Sequence, residues 1–525
     1  MDKKSGVYYY LTDNSLRAGG SSAFAGIVPM YTTKGAVGKL TTVTAIDYRE
    51  KLGYDLDYNP NYAGLDLMLS SVTKLDVLRL NKGATVANTV WSSTGVKSSV
   101  AAVQDAEYFD DLGLKVWVAH KYPGDWGKRY VIFQEGQDRG NDDLGAPRGL
   151  EYFLYYFASN NGFKSLIKKY TFSLNPNEDD FYKKVNFGDL MVGFDSSLSF
   201  PTAFSAYLLG PTVTTIDVND TDHLLSSGYN GLNPTDDEVI PATEIGDCLS
   251  AIDKSEANVF VMNGFYGGVG VGVDDVTFAK KIVSYCAKQD RSVFLDAPLF
   301  MDDKEEVLHA PDIAGWTKDL LMDEGQFGQV AAVPDQVGSV FVQPSAYLFE
   351  IYAKMYATYG HVNYPPAGPT YGTVSASKLM DSNFYLYGDE LKTARINYLT
   401  STSFGVCMWE QRTLYTFGNS DLSYANTVFI LRDLKQRLIN FMSQFSFRYS
   451  TPLDLLTIRS GLSGILDTFV RNKFLVNYTL YVPTYEEAQA AGRELDINIG
   501  VAVISDMEVI NLRIALQSAA DLRAA

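Results

Sequence analysis

Cysteine and histidine are scarce in this chain. Three cysteines (Cys248, Cys286, Cys407) and four histidines (His120, His223, His309, His361) are scattered over 525 residues, which excludes a disulfide framework or a spaced zinc site. Assembly in a reduced, cytoplasmic setting is expected. Positive charge is also short, with 44 basic against 62 acidic residues and a formal net charge of -18. Nonspecific nucleic-acid affinity comes from basic side chains that neutralise phosphates, so direct nucleic-acid binding is disfavoured. Long apolar runs are missing too. The opening MDKKSGVYYYLTDNSLRAGG has no signal-length apolar stretch, and nothing later approaches the roughly 20 apolar residues of a membrane span. The expectation is a chain soluble as made, with no membrane insertion.

What is present is an ordinary globular composition, 46% hydrophobic and 20% charged, at a length where several domains are the rule. Aromatics stand out at 13%, with 35 Tyr and 29 Phe. Rings with a polar tip suit strands and interfaces.

Along the chain, Val7, Tyr9 and Leu11 alternate with polar positions before Arg17-Ala18-Gly19-Gly20-Ser21-Ser22, which reads as a strand on a flexible tether. An α/β opening follows, with a strand at 24–29, helices at 45–52 and 64–71, and a strand at 76–80. Residues 91–194 carry short β-like runs such as Val116-Trp117-Val118-Ala119 and Tyr130-Val131-Ile132-Phe133, parted by turn residues, and read as an inserted β-rich domain. A strand at 258–262 and a helix with Ala279, Ile282, Val283 and Cys286 on one face return to α/β, and a strand at 292–295 closes a parallel βαβ unit.

The last third is the most regular. Leu431, Leu434, Leu438, Phe441 and Phe445 step by 3 and 4 residues along a long amphipathic helix, with Arg432, Lys435 and Arg437 off that stripe. Thr451 and Pro452 supply an N-cap and first-turn proline for a second helix carrying Leu455, Ile458, Leu462, Ile465 and Phe469. Ile497, Ile499, Val501 and Val503 alternate, as do Ile510, Leu512, Ile514 and Leu516, so two strands close the sequence. The fold class is therefore α/β (mixed α+β) and multidomain, without solenoid-type repeats.

The most enzyme-like segment is the glycine-rich stretch from Asn263 to Gly272, between a strand and a helix as in a dinucleotide-binding loop, with Asp296 where a ribose-binding acid would sit. No register yields Gly-x-Gly-x-x-Gly, no Gly-Lys-Ser/Thr follows, and Asp274 and Asp275 occupy the helix start that would attract phosphate. A mobile surface loop is the stronger reading. The acidic clusters Glu178, Asp179, Asp180 and Asp302, Asp303, Glu305, Glu306 lack calcium-loop spacing and read as solvated surface. Asp222 beside His223 reads as a loop contact. No catalytic residue, cofactor site or metal site is expected.

Met408-Trp409-Glu410-Gln411-Arg412-Thr413-Leu414 resembles the "W-G-Q-R-T" signature of contractile tail sheath proteins, with Glu410 in place of the usual glycine. In order along the chain, further segments resemble that family. They are Ser5-Gly6-Val7-Tyr8 ("P-G-V-Y"), Lys121 to Lys128 ("Y-P-G-x-x-G-N"), Pro344-Ser345 ("P-P-S-G"), Tyr364 to Gly368 ("A-P-A-G"), Asn397 ("I-N") and Asn426 to Arg432 ("V-N-V-R-R"). In this family the signature residues Trp409, Gln411, Arg412 and Thr413 are architectural.

The resemblance implies a non-enzymatic subunit of a contractile phage tail, or a related injection device, built as a six-start helical sleeve of stacked hexameric rings around a tail tube. It implies a discontinuous middle domain (21–90 plus 195–340), an outer insertion (91–194) and a C-terminal sheath core (341–525). A linking arm (1–20) and a C-terminal strand would complete a small sheet on neighbouring subunits, since an unpaired strand satisfies its amides by adding to another chain. The arms are assigned to Gly6, Val7, Tyr8, Tyr9, Tyr10 and Leu11, and to Glu508, Ile510, Leu512, Ile514 and Leu516. The two C-terminal helices are expected to face the tube, with Arg432, Lys435 and Arg437 as tube contacts. Expected partners are further copies of the chain, the tail tube protein, and baseplate and tail terminator proteins. Expected location is the virion tail after assembly in the host cytoplasm. The competing readings are a nucleotide-binding α/β enzyme using loop 264–272 and a shell or adhesin protein whose insertion binds a host surface.

Overall fold

The structure is a computed structural model. It describes residues 24–80, 83–91, 97–98, 116–124, 130–160, 163–173, 175, 177–180, 184–187, 190–194, 215–217, 242–264, 277–297, 310–338, 340–380, 384–417, 420–446, 448, 451–492 and 494–505. The arm residues 6–11 and 508–516, most of the glycine-rich loop (265–272), and Asp125 to Lys128, Asp222, His223 and the 302–306 cluster lie outside this set.

The chain opens with β1 (Gly26–Met30), β2 (Leu40–Val43), α1 (Tyr48–Leu52), α2 (Tyr62–Ser71) and β3 (Leu75–Arg79). Strand β1 is buried along its whole length, as an apolar run covered on both faces should be.

The insertion follows. Strands β4 (Asn88–Trp91), β5 (Lys97–Ser98), β6 (Val116–His120), β7 (Tyr130–Asp138), β8 (Leu150–Asn160), β9 (Phe163–Ser173), β10 (Lys184–Phe187), β11 (Leu190–Phe194) and β12 (Thr215–Asp217) form two antiparallel sheets, ordered β10-β11-β6-β4-β5 and β12-β9-β8-β7. Because β12 pairs with β9, the strands of these two sheets are drawn from residues 88 to 217. Arg79, buried at the end of β3, donates to the carbonyls of Gly35 (2.6 Å) and Pro123 (2.5 Å), which ties the insertion to the core.

The chain then returns through α3 (Ala242–Lys254), β13 (Val259–Val261), α4 (Thr277–Ala287), β14 (Ser292–Asp296), α5 (Ala310–Leu320) and β15 (Gly328–Ala332). A hairpin, β16 (Asp335–Val337) and β17 (Val340–Val342), leads into α6 (Pro344–Tyr359). The short helices α7 (Gly368–Tyr371) and α8 (Gly388–Thr393) precede β18 (Ile396–Thr402) and β19 (Gly405–Trp409). One eight-stranded sheet results, in the order β19-β18-β15-β14-β13-β1-β3-β2. Its six inner strands are parallel and its two edges antiparallel. The expected βαβ unit is thus present as β13-α4-β14. Strand β18 is buried over its first five residues and pairs parallel with β15, so the large sheet includes strands beyond residue 340.

Two long helices, α9 (Ala425–Met442) and α10 (Pro452–Arg471), lead to β20 (Leu475–Tyr481), α11 (Tyr485–Ala491) and β21 (Asn498–Val503). Thr451 caps α10 as its sequence predicts, accepting from the Asp454 N–H at 3.1 Å with Pro452 in the first turn. Ile430, Leu434 and Leu438 pack with Leu455, Ile458, Leu462, Leu466 and Phe469 in a second core. Gly461 allows the helices to approach, since a Cβ there would lie 2.1 Å from the Phe441 ring.

Candidate functional site

The family-like signature forms a buried clasp at the end of the large sheet. Glu410 has φ +67°, a left-handed conformation in which glycine carries no Cβ penalty. That accounts for the usual glycine at this position. Here the strained residue gains a partner, as Arg412 Nε donates to Glu410 Oε2 at 3.2 Å while its guanidinium covers the Tyr424 ring at 4.1 Å.

Three neighbours complete the clasp. Asn397 Nδ2 donates to the carbonyls of Val330 (3.0 Å) and Arg412 (2.9 Å), and its Oδ1 accepts from the Arg412 N–H (2.5 Å). The Gln411 carbonyl accepts from the Ala425 N–H at 2.8 Å and its Oε1 from the Asn426 N–H at 3.4 Å, satisfying donors that the start of α9 leaves open. Thr413 pairs with the turn at 421–423, its N–H donating to Ser423 (3.0 Å) and its Oγ1 to Leu422 (2.7 Å). Gln411, Arg412, Thr413 and Asn397 are all buried, and Trp409 keeps 39% of its surface exposed. These groups are consumed by one another, so the clasp joins β15, β18 and α9 and leaves little for a reactant.

The cations of α9 are also committed. Lys435 is 2% exposed and forms an ion pair with buried Asp290, in the turn before β14. Arg432 is half-buried and donates to Ser292 Oγ at 3.3 Å; burial pushes its pKa down to about 10. Arg437 is 48% exposed and pairs with Asp433 at 2.8 Å. The expected cationic outer face is therefore turned inward at Lys435 and Arg432. The reason is that α9 is covered on three sides, with Phe429 against Tyr352 (4.7 Å), Val428 and Leu431 against Phe327 and Tyr415, and Leu434 and Leu438 against α10.

The sheet order reverses between β1 and β13, where open α/β sheets bind ligands beyond the strand ends. There the described residues bind one another. Asp296 is buried and accepts from the Ser345 N–H (2.6 Å), Ser345 Oγ (2.7 Å) and the Gly264 N–H (2.8 Å). Burial raises its pKa to about 6. The acid that a nucleotide reading would place on a ribose instead holds the start of α6 against the β13 end, and Pro344-Ser345 of the family-like set is the segment it holds. Glu178 and Asp180 are paired with Arg139, and Glu178 also with Arg148, across loops of the insertion. Burial pushes the Cys286 thiol up to about 12. Among the described residues no group of three or more metal-ligating side chains occurs, and no helix is long and apolar enough to cross a membrane.

The second feature of interest is the β20–β21 ribbon. Its strands pair antiparallel from Leu475↔Val503 to Tyr481↔Asn498, and its apolar side chains Tyr478, Leu480, Ile499, Val501 and Val503 pack on the second core. Among the described residues neither strand has a further neighbour. The signal for β21 was visible as alternation, but the ribbon's open edges follow only from the pairing.

No protein-family model and no curated protein matches the chain. Solved structures do. The sheath tail protein of Desulfitobacterium hafniense superimposes with a TM-score of 0.56 at 12% identity, over 95% of this chain and 100% of that one. The sheath tail protein of Listeria innocua gives 0.51 at 11%, over 94% and 97%. A chain of the anti-feeding prophage baseplate gives 0.50 at 12%, over 99% and 100%. With 94% to 99% of its length covered in these superpositions, the chain has the fold of contractile tail sheath proteins.

Proposed function

We propose that this chain is the structural subunit of a contractile tail sheath, a helical sleeve of stacked hexameric rings around an inner tube. Contraction of the sleeve drives the tube through a host envelope. The observation that carries the reading is the two-stranded ribbon whose edges have no further strand among the described residues. A strand edge exposes unpaired amides and carbonyls, and adding strands from neighbouring chains satisfies them while linking subunits. The alternating segments Gly6 to Leu11 and Glu508 to Leu516 have the length and period for that task. Heterologous contacts that do not close generate a helix, and energy released as contacts grow on contraction needs no nucleotide site.

The tube-facing role falls to the C-terminal helices. Of the three cations first assigned to it, Arg437 is the most exposed, with 48% of its side-chain surface free and Asp433 as its partner, so a tube contact centres there. Tube, baseplate and terminator proteins complete the partner set, within a virion tail assembled in the host cytoplasm.

Negative-stain microscopy of the purified chain tests this. Long hollow tubes are expected, and deletion of residues 1–20 should leave soluble subunits. Unchanged tubes after the deletion would remove the arm assignment, and unpolymerised or spherical particles from the intact chain would remove the sheath reading.

A further inference from the structure

Helix α10 has a second face besides the one that meets α9. Leu453, Leu456, Ser460 and Gly464 step by 3, 4 and 4 residues and so share one side of the helix, opposite the buried Leu455, Ile458, Leu462, Leu466 and Phe469. Leu453 is 72% and Leu456 62% exposed, and Ser460 and Gly464 are exposed with them. A surface helix ordinarily turns charged residues outward, yet none of these four is charged. The two glycines of the helix separate packing inside the subunit from packing outside it. A Cβ at Gly461 would lie 2.1 Å from the Phe441 ring, whereas one at Gly464 would meet nothing within 4 Å. Glycine is the poorest helix former after proline, and among the described residues no contact requires it at 464.

The position of this flank indicates what reaches it. Within the ribbon, β21 lies toward α9, since Val501 and Val503 also pack against the cluster of Val428, Leu431, Phe327 and Tyr415. Strand β20 lies against α10 and runs antiparallel to it, with Tyr478 Oη donating to Asp467 at 2.7 Å and Arg459 Nη2 to the Val482 carbonyl at 2.9 Å. The edge of β20 away from β21 has no further strand among the described residues, and it therefore lies on the outer side of α10, beside the flank 453–464. A strand edge takes another strand, and one added here has that flank as its floor. The floor is aliphatic and shallow, so its occupant is a strand with one aliphatic face. Ile510, Leu512, Ile514 and Leu516 supply such side chains at period two over seven residues, the length of β20. The segment 6–11 instead carries Tyr8, Tyr9 and Tyr10, rings on both faces.

We propose that the outer flank of α10 is a contact surface between copies of this chain, an inference that rests on the sheath function proposed above. Segment 510–516 of a second copy adds to the outer edge of β20 and packs its aliphatic face on Leu453 and Leu456 at one end, passing close over Ser460 and Gly464. The missing side chain at Gly464 lets the added strand approach the helix, and the two leucines lose their water in the contact. The two edges of the ribbon are thus unequal, because the β20 edge offers backbone hydrogen bonds and an apolar floor together.

The test uses the full chain, the variant Gly464→Gln and the double variant Leu453→Ser with Leu456→Ser. Subunit melting temperature and the critical concentration for tube formation are measured side by side. Gly464→Gln should melt at or above the parent temperature, since glutamine is the better helix former and has room, and the double variant should melt with the parent. Both should raise the critical concentration roughly 10- to 100-fold, the effect of one buried leucine on an association constant. The occupant is identified by mixing chains that carry Ser460→Cys alone with chains that carry Leu512→Cys alone and adding a short bismaleimide. A cross-link between the two forms in tubes, absent from the parent chain, is expected. A link that forms only inside a chain bearing both cysteines would give the flank to the subunit's own segment and overturn the inference, as would assembly lost with no link between copies. Variants that assemble at the parent concentration would overturn it while leaving the sheath reading intact. A melting temperature that falls along with assembly would reduce the flank to a structural role. A parent chain that forms no tubes would remove the sheath reading and the inference with it.

Discussion

Two sheets in this molecule meet the same problem at their edges and treat it differently. At the outer edge of the large sheet, β19 is covered by its own chain. Val374 N–H donates to Val406 (3.1 Å), Met408 N–H donates to Gly372 (2.8 Å), and Thr373 bridges Cys407. The β20–β21 ribbon has no such cover among the described residues. An edge strand left open is a hazard unless it has an intended partner. On the function proposed above, the large sheet would be the body of the subunit and the ribbon its connector. Substitutions around β18 and the clasp should therefore change stability, and changes at the ribbon should change assembly.

The largest stability effect is expected at Lys435. Lys435→Met strands Asp290 in the interior and should cost about 3–5 kcal/mol in urea unfolding. Adding Asp290→Leu should return most of it, because two apolar groups replace a desolvated pair. A single variant as stable as the parent would mean that α9 is not fixed to the sheet as described. Next is Asn397→Ala, which removes three hydrogen bonds from the clasp and should cost about 2–3 kcal/mol without altering the ribbon. An assembly defect in subunits of parent stability would break the division between body and connector.

The smallest effect concerns the joint between them. His361 lies against Tyr364 (5.2 Å) and Phe474 (5.0 Å), with Asn363 N–H donating to its Nδ1 at 3.3 Å. Burial lowers its pKa, the Asp433 carboxylate pulls it up and Arg437 pulls it down again. A histidine with a depressed folded pKa contributes stability above its unfolded pKa of about 6.5, and that contribution is lost as pH falls below it through the folded value. Thermal melts between pH 7.5 and 5 should show this loss, and His361→Phe should flatten it. An unchanged slope would place the pH dependence elsewhere.

Much of the architecture was legible in the chain. The α9 and α10 stripes, the Thr451 cap and the β21 alternation are local patterns, and local periodicity reports one buried face well. It does not report a second one. Lys435 looked solvated because it lies off the leucine stripe, yet the other side of α9 is covered by the turn at Asp290. Glu410 appeared only as a departure from the signature, and its positive φ supplies the reason glycine is usual there. Asp296 gave no usable signal, since its partner Ser345 is 49 residues away in sequence and only tertiary packing joins them.

The central claim is that the ribbon is an unfilled half of an intersubunit sheet. Amide hydrogen exchange of free subunits and of assembled tubes measures it directly. In free subunits the amides of 475–481 and 498–503 that face away from the pairing should exchange fast, while those of β18 are protected; on assembly the ribbon amides should slow by orders of magnitude and β18 should stay as it was. Ribbon exchange that is the same in tubes and free subunits would contradict the account.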